Sequence, residues 1–155
     1  MINVLFVCHG NICRSPMAEF VFKTLVKEKG TEHLFSICSA ATSSEEIGNP
    51  VHRGTEKKLR SLGISIAGKY AVQLLSSDYD TYSFFLGMDS WNISSMQRLF
   101  NDDPQKKVFK LLDFTTRKGV DIADPWYTGN FDVTYDDVKE GCEGFYQYLQ
   151  KEKFL

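Results

Sequence analysis

The residues with the most evident chemistry stand together near the start of the chain, as Cys8-His9-Gly10-Asn11-Ile12-Cys13-Arg14-Ser15-Pro16. A cysteine followed after five residues by an arginine allows the loop between them to curl until successive backbone N–H groups converge on one anion. Gly10 and Asn11 are residue types that tolerate the left-handed or strained backbone such a nest needs. A helix beginning near Ser15 adds its positive end. The amides that attract an anion also favour a thiolate at Cys8, which makes Cys8 the candidate nucleophile. Arg14 offers a planar fork of donors that holds two phosphoryl oxygens and follows them as the group flattens in transfer, which a lysine does not match. Ser15 can donate its hydroxyl to the Cys8 sulfur and keep it a good leaving group when a phosphocysteine is hydrolysed. These residues describe a phosphate-ester site that needs no metal and no cofactor.

Aryl phosphates also require an acid. The parent phenol has a pKa of about 10, so at neutral pH a positioned proton donor contributes roughly a hundredfold to ten-thousandfold. Asp124 is the candidate, at the head of Asp124-Pro125-Trp126-Tyr127. Pro125 biases the aspartate toward extended backbone, and Trp126 and Tyr127 are placed to sandwich a flat leaving group as pocket walls. In the second step the same carboxylate would activate water.

The elements that must hold these groups follow from the hydrophobic pattern. Ile2 to Val7 is apolar except for Asn3 and reads as a central strand covered on both faces. Met17, Phe20, Val21, Thr24 and Leu25 recur at helical spacing, with Pro16 in the first turn and Gly30 as the stop. Leu34 to Cys38 reads as a second strand, Arg53 to Leu62 as a second helix ended by Gly63, and Tyr82 to Met88 as a third strand. A helix over Asp89 to Phe100 follows, with Asp89 or Ser90 as cap. Lys107 to Leu112 makes a fourth strand, and Tyr135, Val138, Cys142, Phe145 and Leu149 mark a final amphipathic helix. Strands alternating with helices predict an α/β domain of three layers, with right-handed crossovers and the ligand beyond the carboxyl ends of the strands. The segment Ile122 to Phe131, aromatic and without a period, reads as a functional loop.

Composition bounds the rest. The 155 residues, 43% apolar and 25% charged, suit a single globular domain over 1–155. No apolar run is long enough to span a membrane, and the first residues lack the basic start and cleavage site of a secretory signal, so a cytoplasmic location is expected. Eighteen basic against twenty acidic side chains give a net charge of -2, which offers no general attraction for nucleic acid or an acidic membrane. The four cysteines read as thiols, since Cys8 and Cys13 lack zinc-ligand spacing. Cys38 and Cys142 fit buried strand and helix positions. No apolar segment is left over for an interface, and a monomer is expected.

The chain resembles the low-molecular-weight protein tyrosine phosphatases. The likeness rests on the Cys-x5-Arg-Ser loop with Pro16-Met17-Ala18-Glu19, on Ser39-Ala40-Ala41-Thr42-Ser43, Glu46-Ile47-Gly48-Asn49-Pro50 and Met88-Asp89, and on Asp124-Pro125-Trp126-Tyr127. It implies a flavodoxin-like fold with a four-stranded parallel sheet and helices on both faces. It also implies that Cys8, Arg14 and Asp124 act as nucleophile, phosphate clamp and general acid, with Asp89 bracing Arg14 and with Asn11, Ser15 and Ser39 supporting the loop. The substrates so implied are phosphotyrosine proteins or peptides and small aryl phosphates, with phosphate- and vanadate-type anions as ligands. Ile12 stands where the family's arginine phosphatases carry threonine and so points to phosphotyrosine. Two departures stand out. The family's His-x-Ala-Arg segment reads Lys69-Tyr70-Ala71-Val72, so either Lys69 replaces the histidine as donor or the loop network closes differently. Glu45 stands where an aromatic wall residue is frequent, which predicts a preference for basic residues beside the phosphotyrosine.

Plainer readings compete at several positions. Cys13 is either a small core residue or a partner that bridges reversibly to Cys8 on oxidation. His9 is a solvated residue at the pocket edge with a share in orienting substrate, and Asp89 by itself is only a helix cap. Together with Gly10, Ile12, Glu45, Trp126 and Tyr127, His9 and Cys13 complete the expected substrate-binding set. Two rival functions remain. Arsenate reductases on this fold need further cysteines near mid-chain, and none lies between Cys38 and Cys142. A module that binds phosphotyrosine without turning it over would not need nucleophile, clamp and acid together.

Overall fold

The computed structural model describes residues 1–66 and 68–155. Four parallel strands form one sheet in the order β2-β1-β3-β4. They are β1 (Ile2–Cys8), β2 (Phe35–Ala41), β3 (Phe84–Gly87) and β4 (Val108–Lys110). The helices are α1 (Arg14–Glu28), α2 (Arg53–Ser61), α3 (Asp78–Thr81), α4 (Ser90–Leu99), α5 (Pro125–Thr128) and α6 (Phe131–Lys151).

Side chains of β1 alternate between two apolar layers, as the period of a strand requires. Val4, Phe6 and Cys8 point into a layer with Met17, Phe22 and Val26 of α1, Leu59 of α2, and Val138, Phe145 and Leu149 of α6. Leu5 and Val7 point the other way, onto Tyr79 of α3, Met96 of α4 and Phe100 just past its end. Both faces of the sheet are covered, giving the three layers the pattern predicts. Edge-to-face rings knit the larger layer, with Phe22 5.4 Å from Phe35 and Phe84 5.2 Å from Phe145. Among the described residues no helix is long and apolar enough to cross a membrane.

Several element ends differ from expectation, each for a local reason. The second strand begins one residue late because Leu34 closes a 3-10 turn over Glu32–Leu34. It runs on to Ala41 because Ser39, Ala40 and Ala41 pair with Phe6, Val7 and Cys8. The third strand, Phe84–Gly87, loses Tyr82, whose amide closes α3 onto Asp78, Ser83 after it, and Met88, whose amide donates to Asn92 Oδ1 (3.0 Å). The fourth ends at Lys110, since Leu111–Phe114 turns into a 3-10 helix that buries both leucines. The segment Ile122 to Phe131 is not a loop throughout. Asp124 accepts the Trp126 amide and caps α5, which Gly129 ends with φ 71°. α6 then starts at Phe131, capped by Asn130 Oδ1 on the Val133 amide.

Candidate active site

The candidate nucleophile ends the central strand. Cys8, 3% exposed, is followed by a turn in which Asn11 takes a left-handed φ of 58°. That turn aims two amides back at the sulfur: Asn11 N–H donates to Cys8 Sγ at 3.3 Å and Ser15 N–H at 3.4 Å. Ser15 Oγ lies 3.0 Å from the same sulfur. Asn11 Nδ2 donates to Ser15 Oγ (2.7 Å), which fills an acceptor site of that oxygen and leaves its hydrogen for the sulfur. Three donors thus converge on the Cys8 sulfur.

The asparagine is itself held. Its Nδ2 also donates to Ser39 Oγ (3.0 Å), its Oδ1 accepts the Val72 amide (3.0 Å), and Ser39 Oγ donates to Glu19 Oε1 (2.5 Å). Glu19, 4% exposed, is neutralised by Lys23 at 2.6 Å and Lys69 at 3.5 Å. Lys69 Nζ donates to the Ser39 carbonyl (2.9 Å). The network therefore closes through Glu19, with Lys69 as its counterion. In the sequence Glu19 stands within the stretch that carries the family likeness but has no role assigned, and the available signal was its place four residues after Ser15, on the same face of α1.

Arg14 is buried at the start of α1. Its Nη1 donates to Asp89 Oδ2 (2.6 Å) and the Ile122 carbonyl (2.9 Å), and its Nη2 to Asp124 Oδ2 (3.4 Å). Burial alone disfavours its charge. The Cys8 sulfur, the bond and charge of Asp89, and the charge of Asp124 more than offset that, so the guanidinium holds its proton more firmly than usual. Asp89 reaches Arg14 because β3 ends just before it, and its other oxygen caps α4 on the Asn92 amide (2.9 Å).

These groups open on a pocket of about 130 Å³ at the carboxyl end of β1. Cys8, Cys13 and Arg14 are among its lining residues. Ile12, Trp126 and Asp124 line it with Gly10, Glu45 and Glu46. Glu46 was not anticipated. Burial, with the charges of Cys8 and Asp124 beside it and against the pull of Arg14, pushes the Cys13 thiol up to about 12. Cys8 and Cys13 are both free and buried. His9 stays outside, exposed, with Nε2 3.1 Å from Glu45 Oε2. Trp126 is a wall residue, whereas Tyr127, 84% exposed, points away from the pocket lining. A larger cavity of about 860 Å³ lies between α1 and the residues after α2, with no candidate nucleophile in its lining.

Residues 3–154 match the family model described as low molecular weight phosphotyrosine protein phosphatase. Over 156 residues the chain is 42% identical to the low molecular weight protein-tyrosine-phosphatase YfkJ of Bacillus subtilis (strain 168), covering all of both. It superposes on the crystal structure of that protein with a TM-score of 0.95, covering 99% of this chain and 97% of that one. A protein tyrosine phosphatase from Entamoeba histolytica, solved with Hepes in its active site, is 29% identical with a TM-score of 0.91, covering 99% of each chain.

Proposed function

Because the chain belongs to the low molecular weight phosphotyrosine protein phosphatase family, a family of hydrolases, we propose that it hydrolyses phosphotyrosine in proteins, and small aryl phosphates, through a phosphocysteine. We take residues 1–155 as one catalytic domain. The observation that carries the reading is the convergence of Cys8, Arg14 and Asp124 on one narrow pocket with apolar walls at Ile12 and Trp126.

In this mechanism the phosphoryl oxygens bind the Arg14 fork and the loop amides, and the aryl ring lies between Ile12 and Trp126. The Cys8 thiolate attacks phosphorus as the ester oxygen leaves. Asp124 gives that oxygen its proton, so phenol departs neutral and the carboxylate is left ionised. It then removes a proton from a water that attacks the phosphocysteine. Inorganic phosphate is released and the thiolate returns, stabilised by Ser15 and the two amides. The contact of 3.4 Å between Asp124 and Arg14 Nη2 is long for a charged pair, so a phosphoryl oxygen can replace the carboxylate there, and Asp124, freed from the cation and carrying the proton it regains from the attacking water in each cycle, can turn to the leaving group. A pocket wall formed by isoleucine and indole suits a flat ring.

The test is turnover of a chromogenic aryl phosphate, with vanadate and a chelator as controls, beside phosphotyrosine, phosphoserine and phosphoarginine peptides and a thioredoxin-coupled arsenate assay. The reading predicts vanadate-sensitive, chelator-insensitive hydrolysis with phosphotyrosine foremost. Arsenate reduction, preferred phosphoarginine turnover, or binding without turnover would each overturn it.

A further inference from the structure

The rim of the pocket carries opposite charge on its two sides. On the Gly10 side stand Glu45 and Glu46, so close that a Cβ on Gly10 would lie 3.3 Å from Glu46 Cγ. On the Ile12 and Cys13 side stands the start of α2. The His52 amide donates to the Ile12 carbonyl (2.8 Å), and Thr55 Oγ1 donates to the Cys13 carbonyl (3.1 Å). That helix carries Arg53, Lys57, Lys58 and Arg60 against a single acid, Glu56.

A groove of about 770 Å³ runs between α2 and the start of α6, with Arg53, Lys57 and Lys58 on one bank and Asn130, Phe131 and Asp132 on the other. Aromatic rings join it to the pocket. His52 stacks on Phe131 (centroids 5.2 Å apart) and meets Trp126, a pocket wall, edge-on at 5.6 Å. Gly54 makes the seat possible, since a Cβ there would collide with the Phe131 ring. Lys58 is engaged by Asp132 at 2.9 Å and lies over the Tyr135 ring. Arg53 and Lys57 are exposed, and among the described residues no carboxylate pairs with either.

Resting on the reading of the pocket as a phosphotyrosine site, we propose that this groove receives an acidic segment of the same phosphoprotein, while basic residues on the other flank of the tyrosine face Glu45 and Glu46. Charge complementarity selects the occupant: two free cations on one bank, continuous with the hole that takes the phosphotyrosine, match carboxylates a few residues away along the substrate. The enzyme thus reads the order of charges around the phosphotyrosine, beyond their presence.

Two phosphotyrosine peptides of identical composition test this, one with acidic residues before the tyrosine and basic ones after it, the other reversed. One order is expected to show a kcat/KM higher by about threefold to tenfold at low salt, mostly through KM, with the gap closing as salt rises. The double substitution Arg53→Gln and Lys57→Gln is expected to shrink that preference to the share set by Glu45 and Glu46 and leave turnover of a small aryl phosphate, which does not reach the groove, unchanged. Equal turnover of the two orders, or a preference undiminished by the double substitution, would overturn the proposal. So would binding of RNA or of anionic phosphatidylserine vesicles through Arg53 and Lys57 without discrimination between the peptides. Failure to hydrolyse the aryl phosphate would instead strike the phosphatase reading itself.

Discussion

Arg14 Nη1 lies 2.6 Å from Asp89 Oδ2 beneath the pocket, with the side chains only 3% and 15% exposed. Asp89 thus fixes one edge of the guanidinium and leaves the remaining donors to meet a phosphoryl group. Its other oxygen caps α4, so the clamp and the helix share one carboxylate.

The two duties can be separated. Asp89→Asn keeps an oxygen for the Asn92 amide but loses the charge facing Arg14. Its stability is expected to fall by about 1 to 3 kcal/mol, because buried Arg14 loses one of its counter-charges, and kcat/KM for an aryl phosphate falls by roughly tenfold to a hundredfold, the worth of a charge-assisted bond. Asp89→Ala should show the same kinetic loss and a further destabilisation of about 1 kcal/mol from the missing cap. Thermal melts and steady-state kinetics on both variants check this. Equal stability of the two would remove the capping role.

Asp124→Ala removes the proton donor. A loss of roughly a hundredfold to ten-thousandfold is expected for esters of weakly acidic phenols, and a much smaller one for activated phenols. A series of aryl phosphates of graded leaving-group acidity measures this. A uniform loss would assign the acid to another residue.

The support beneath the loop predicts its own signature. Glu19→Ala deletes the acceptor of Ser39 and leaves Lys69 without its buried counterion, so a destabilisation of about 1 to 3 kcal/mol is expected by urea unfolding. Lys69→Met acts in the same direction but less, because Lys23 still neutralises Glu19. Lys69→His should recover part of the loss. An undisturbed Glu19→Ala protein would contradict the network described.

Cys13 gives stability a dependence on pH. Unfolded, its thiol ionises near the ordinary value of about 8.5, whereas in the folded chain it is pushed up to about 12. Between these values the folded chain holds a proton that the unfolded chain has lost. The contribution, complete below the lower value, is therefore lost as pH rises through the window, by up to about 1.4 kcal/mol per pH unit. Cys13→Ala should flatten this slope in alkaline urea titrations, though not abolish it, because burial also raises the Cys142 thiol.

The same thiol bears on oxidation. A Cys8 sulfenic acid formed by mild peroxide is expected to condense with Cys13, releasing water and forming a disulfide. Peptide mass spectrometry reads the bridge. Sulfinic acid at Cys8 beside a free Cys13 would contradict it.

What could be read from the sequence was local. The stretch from Cys8 to Pro16 announces its loop because the cysteine, the turn-forming Gly10 and Asn11, and the arginine lie within one turn of chain. β1 announces itself by an apolar run broken only at Asn3, and α1 by its helical period. The partner of Ser39 was not legible, since Glu19, Lys69 and Ser39 meet only after the chain between α1 and β2 has folded back. Strand ends were missed where pairing overrode propensity, as at Ser39 to Ala41, or where a side chain claimed the next amide, as Asn92 does at Met88. Tyr127 reads as a wall beside Trp126, but the helical turn capped by Asp124 rotates neighbouring side chains apart and leaves it facing solvent.

The most direct measurement is rapid acid quenching of the enzyme during turnover of an activated aryl phosphate, followed by peptide mapping. Asp124→Ala serves beside the parent, because it slows hydrolysis of the intermediate. One phosphoryl group on the peptide carrying Cys8, absent from Cys8→Ala and more abundant in Asp124→Ala, is the predicted result. Steady hydrolysis with no phosphorylated peptide, or with the phosphoryl group on any other residue, would contradict the account.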